Sequence, residues 1–307
     1  MDIRKYSNSK QNWRKWHQGN GNCQFRWKTI ANSANSNATQ SHRIQMHPDP
    51  VKAKNLAAFS HLCIFSFIDQ NAIAFLHRFR QLFASNCPIN LAIHTNNVRI
   101  LLFILRNIWP MIGNNICGIG LFTNIFYRLR KLVPSILNDC PSLRVVSSYF
   151  DEFFTDFPCD DSAMASNGQA VAKWLFTPLQ NNVPKVLRCW LHIDDGNLAS
   201  NIEALKAAFS SASSPANFIV VIPFPPSFAD SIVPFDLTNE FTREQFALKR
   251  IKKSNRFLLI RCPIVRDESK WTKWEDEADD WRIRDQCNQI NIRINNEREI
   301  GDGSANK

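Results

Sequence analysis

From Asn55 onward the sequence repeats one phrase: an amphipathic helix, a short turn that often carries proline, then a brief β-branched strand. Ala72 to Phe83 puts Ile73, Leu76, Phe79, Leu82 and Phe83 on one helical face, and Ser85 to Pro88 stops it before a strand at Asn90 to His94. Ile125 to Leu137 reads as the next helix, stopped by Asn138 to Pro141 before a strand at Leu143 to Val146. Helices at Gln169 to Phe176 and Ile202 to Phe209 are each followed by a proline-bearing turn and an apolar run, at Val186 to Ile193 and Phe218 to Ile222. A further unit lies at Val98 to Leu121. Each helix has one apolar stripe and each strand is apolar on both sides, so neither is satisfied alone. Successive units stacked side by side bury both, as a parallel sheet with helices along a face.

Strand starts near 89, 116, 142, 185 and 217 recur at an irregular interval close to that of leucine-rich repeats. The expected fold is therefore α/β: an irregular leucine-rich-repeat-like α/β layer over residues 55–226. After Ser227 the pattern becomes one of hairpins, with strands at Ile232 to Leu237, Glu244 to Ile251 and Arg256 to Arg261. A helix starting near Asp267 carries Trp271, Trp274, Ala278 and Trp281 along one stripe, with Glu275, Asp276, Glu277, Asp279 and Asp280 opposite. Core packing is the expectation for that tryptophan stripe. The alternating strand Ile290 to Ile294 follows, so residues 227–300 form an antiparallel strand meander with a C-terminal helix, and residues 301–307 a tail.

Residues 1–54 lack apolar periodicity and are expected to be mostly disordered. They hold ten Lys and Arg against Asp2 and Asp49, which accounts for +8 of the net charge of +10. The body of the chain is close to neutral, so a nucleic-acid role rests on this basic segment alone, where Trp13, Trp16 and Trp27 interleave with Arg14, Lys15, Arg26 and Lys28. Val98 to Ile112, the greasiest stretch, is interrupted by Arg99, Arg106 and Pro110, which argues against a membrane partner. The chain reads as cytoplasmic or nuclear.

Chemistry-bearing motifs are sparse. The nine cysteines are scattered without a CxxC pair, which disfavours a zinc ribbon or finger, and several sit in apolar runs where a reduced thiol acts as a small hydrophobe. Only 9 Gly against 15 Pro argues against a glycine-rich nucleotide cradle. His192 and Asp194 form the most enzyme-like local group, but no GxSxG, P-loop or HExxH accompanies them. The acid pairs Asp160–Asp161, Asp194–Asp195 and Asp279–Asp280 have no set spacing for acid–base work. The proline run Ile222 to Pro226 is expected to break strand register. No catalytic, cofactor-binding or metal-ligating residue is assigned, and the expectation is a non-enzymatic protein.

Several segments carry a family resemblance: Phe67 to Phe83, Leu132-Val-Pro-Ser-Ile-Leu-Asn-Asp-Cys-Pro-Ser-Leu-Arg144, Gln169 to Leu175, Leu259-Ile-Arg-Cys-Pro-Ile-Val-Arg266, Lys270 to Glu275 and Ile300 to Gly303. Over roughly residues 55–303 the chain resembles an expanded family of F-box-associated proteins in plant-parasitic nematodes. The resemblance implies an intracellular protein-interaction module that holds a protein substrate for a cullin-type ubiquitin ligase, recruited through the Skp adaptor. Members of that family carry an F-box helical segment upstream. Here the corresponding stretch is the basic, Asn-rich one, without a Leu-Pro opening.

Overall fold

A computed structural model describes residues 24–28, 41–45, 61–65, 77, 88–95, 97–148, 155–189, 197–223, 233–251, 256–279 and 287–293. They hold one sheet of twelve strands: β1 (Gln24–Lys28), β2 (Ser41–Gln45), β3 (His61–Phe65), β4 (Ile89–Ile93), β5 (Ile116–Leu121), β6 (Val145–Ser148), β7 (Lys185–Cys189), β8 (Phe218–Pro223), β9 (Phe235–Asn239), β10 (Glu244–Arg250), β11 (Arg256–Pro263) and β12 (Asn288–Arg293). Their order across the sheet is β2-β1-β3-β12-β4-β5-β6-β7-β8-β11-β10-β9. Strands β4 to β8 are parallel and lie in chain order. The helices between them are α1 (Val98–Asn107), α2 (Trp109–Ile112), α3 (Thr123–Leu132), α4 (Asn167–Phe176) and α5 (Asn197–Ser210).

Local sequence sets the helix ends. The Asn97 side chain accepts hydrogen bonds from the Arg99 and Ile100 amides at 2.9 and 3.3 Å, capping α1. Ser166 and Gln169 form a reciprocal capping box at the start of α4. Helix α3 stops at Leu132, short of the expected Leu137, because Pro134 drives Val133 into extended backbone with φ −140° and ψ 91°.

One apolar cluster joins Ile100, Leu101 and Ile104 of α1, Phe126 and Leu129 of α3, Trp174 and Leu175 of α4, and Leu205 and Phe209 of α5 to a single sheet face. That face carries Leu91, Ile119, Val146, Leu187 and Val220 from the parallel strands, and it runs on through Leu259 and Leu248 of the antiparallel ones. The change of grammar after Ser227 is thus a reversal of strand direction inside one sheet, not a boundary between cores. Hairpin strands β9, β10 and β11 pair antiparallel, as the meander expected.

Helix α6 (Glu268–Asp279) lies on the other face, where Trp271 and Ala278 pack with Val186, Ile219, Leu258 and Ile260. Trp271 is core, as its stripe implied; Trp281 and Asp280 lie outside the described residues. Glu277 departs from the expected solvent face: it is buried and faces Arg144 at 3.5 Å. From α6 the chain returns to β12, which, contrary to the antiparallel meander expected over residues 227–300, runs parallel to both β3 and β4 and sits between them. Strands β1 and β2 are also a correction, since they fall in the segment expected to be disordered and extend the sheet beyond β3. The expected helix at Ala72 to Phe83 lies outside the described residues apart from His77, which is helical.

Candidate functional site

The sequence candidates that fall among the described residues do not converge. His192, Asp194, Asp195, Trp13, Trp16, Pro225 and Pro226 lie outside the described residues. Asp160 accepts from the amide and hydroxyl of Ser162 at 2.9 and 2.8 Å, and those bonds, with Arg130 nearby, hold its carboxyl below the usual range. Asp161 accepts from Asn138 Nδ2 at 2.9 Å. The buried Arg130 guanidinium donates to the carbonyls of Ser162, Ala165 and Ser166 at 2.9, 2.8 and 2.7 Å, so this acidic turn is the wall of a loop. Asp279 is paired with Arg256 at 2.7 Å. Among the described residues no group of three or more His, Cys, Asp and Glu is placed to hold a metal ion, and no helix is long and apolar enough to cross a membrane.

Two places stand out instead. At one end of the antiparallel strands, the β9–β10 turn meets the loop that leaves β11, where the Ile264 amide donates to the Arg243 carbonyl at 3.0 Å. Arg243 takes a left-handed φ of 56°, and Asn239 ties the turn down by accepting from the Phe241 and Thr242 amides at 2.9 and 3.1 Å. The same Asn239 side chain donates to the Phe209 carbonyl at 2.8 Å, fixing the turn to the end of α5. On this rigid mount Phe241, Ile264 and Val265 are 79%, 44% and 92% exposed. Glu240, Arg243, Asp267 and Lys270 are exposed around them. An apolar knob with a charged rim is the usual make-up of a protein contact.

The second place is the amino-terminal end of the parallel strands. Ile89 pairs with Ile116 and Asn90 with Gly118, which leaves Cys117 as the extra residue of a bulge. Its Sγ lies 2.7 Å from that of Cys287, one residue before β12. Asn90 Nδ2 donates to Gln289 Oε1 at 2.7 Å, and Gln289 Nε2 donates to the Cys287 carbonyl at 3.2 Å. A Cβ at Gly118 would stand 2.5 Å from Asn90 Oδ1, so any side chain there would force Asn90 to shift. The bond to Cys287 and burial push the Cys117 thiol up. Cys287 is pushed down, chiefly by the Cys117 hydrogen bond and then by the Arg144 guanidinium. Burial pushes Cys140 and Cys189 up to about 12. Among the described cysteines, Cys287 is the one shifted toward thiolate.

The sequence held no local sign of either place: 170 positions separate the two thiols, and the knob joins two turns distant in the chain. Set against protein-family models, curated proteins and solved structures, the chain matches none of them.

Proposed function

We propose that this chain is a non-enzymatic protein-interaction module, and that it recognises protein substrates for a cullin-type ubiquitin ligase in the manner of F-box-associated proteins. One observation carries the interaction reading: Phe241, on a turn anchored through Asn239, and Ile264 and Val265, on the adjoining loop after β11, are exposed and lie outside the core. The ligase assignment rests on the sequence resemblance. Five parallel strands in chain order with helices on one face support the leucine-rich-repeat-like part of the reading.

The test is affinity purification of the full chain and of an F241D/V265D variant from cells, with bound proteins identified by mass spectrometry. The adaptor and cullin are expected with both forms, and a set of further proteins with the unsubstituted chain alone. Absence of adaptor and cullin from both removes the ligase assignment; further proteins retained by the variant remove the knob.

Nucleic-acid association through the basic segment is the second reading; β1 and β2 pair within that segment, with Arg26 in register with Arg43. Binding of single-stranded nucleic acid that is unchanged by salt, or by R26E/R43E, counts against it.

A further inference from the structure

We propose that Cys117 and Cys287 form a thiol–disulfide exchange site that is oxidised by a small-molecule disulfide of the glutathione type. The two sulfurs are already in contact at 2.7 Å, and a closer approach of about 0.7 Å reaches bonding distance. Both residues are partly exposed, as is Cys159, whereas Cys140, Cys189 and Cys262 are buried. The bulge supplies the placement: without its extra residue Cys117 would stand in the ladder opposite β4. Arg144 is anchored beside the pair, its amide donating to the Cys117 carbonyl at 2.9 Å, and its positive charge stabilises a thiolate there.

The exchange balances in two steps. The thiolate of one cysteine of the pair attacks one sulfur of the small disulfide, the S–S bond of that molecule breaks, and one small thiolate leaves and takes a proton from solvent. The other cysteine then loses its proton and attacks its neighbour's sulfur in the mixed disulfide, releasing the second small thiol. The protein dithiol is oxidised by two electrons, and one small disulfide is reduced to two thiols. The product links β5 to the residue that leads into β12, so oxidation fastens the last strand in its place between β3 and β4.

The experiment incubates the full-length chain in oxidised glutathione, blocks remaining thiols by alkylation and maps the peptides. The expected result is a Cys117–Cys287 link, with two of the nine thiols lost. In C117S and in C287S the second step is blocked, so a glutathione adduct should accumulate on the remaining cysteine of the pair. Peptides of the unsubstituted protein with both residues fully alkylated, or either residue linked to another cysteine, would overturn the proposal without reference to any variant.

Discussion

Arg261 and Glu244 face each other across β11 and β10 with Nη2 2.6 Å from Oε2, and their side chains are 0% and 1% exposed. Glu244 Oε1 accepts from the Ala216 amide at 2.8 Å, and Arg261 Nη2 donates to the Ser214 carbonyl at 2.9 Å, so the pair also holds the α5–β8 loop. The guanidinium stacks near the rings of Phe176 and Phe209, 5.2 and 5.3 Å from their centroids. Removing one partner strands a buried charge. Glu244→Ala is expected to cost about 3–5 kcal/mol in urea unfolding, while the double change Glu244→Leu with Arg261→Met should cost far less. A double variant as unstable as the single one would show that packing, and not charge, dominates.

Lys185 points to the helix face of the sheet, donating to the Trp174 carbonyl at 2.6 Å, and burial lowers its ammonium from 10.5 to about 8. Below pH 8 the ammonium is charged in both folded and unfolded chains, and folding bears the full cost of burying it. Between pH 8 and 10.5 the folded lysine loses its proton first, so the unfolded chain holds more protons and stability rises with pH. Relative to Lys185→Met, the unsubstituted protein should gain about 2–3 kcal/mol across that window. Parallel curves for the two proteins would contradict it.

Gly118→Ala drives a methyl into Asn90, whose side chain is held by Gln289. A loss of about 1–3 kcal/mol is expected, largely recovered in the double variant with Asn90→Ala. Additive losses in a double-mutant cycle would rule out the contact as the cause.

Arg188, buried on β7, donates to the carbonyls of Glu277 and Ala278 near the end of α6, the negative pole of that helix. Arg188→Ala should destabilise the protein by about 2–3 kcal/mol and speed amide exchange in α6 more than in α3. Uniform acceleration in both helices would show that Arg188 does not act on α6 specifically.

Phe241→Asp, at a 79% exposed position, should change stability by no more than about 0.5 kcal/mol. A large drop in thermal midpoint would mean that the ring is packed in solution and unfit as a contact.

The legible part of the fold was periodic. Expected strand starts near 89, 116, 185 and 217 meet strands that begin at 89, 116, 185 and 218, because each lies in a short apolar run bounded by turn residues, whereas the start expected near 142 falls at 145. The helix end at Leu132 was misjudged, although Pro134 marks it locally. Glu277 was placed with the solvent acids because helical spacing ignores a partner on another element, and Arg144 is 133 positions away. Neither the thiol pair nor the apolar knob had a local signature, since both arise where distant turns and strand ends meet.

Residue chemistry alone determined the alternation of helix and strand, most strand starts in the parallel part and the shift to hairpins after Ser227, for these follow from burial periods and backbone preferences spanning a few residues. Only the tertiary structure decided that β12 enters between β3 and β4, that α6 covers the face opposite the other helices, and that Cys117 reaches Cys287. Strand order and sheet face are chosen by the joint burial of surfaces far apart in the chain, and no window of sequence contains both partners.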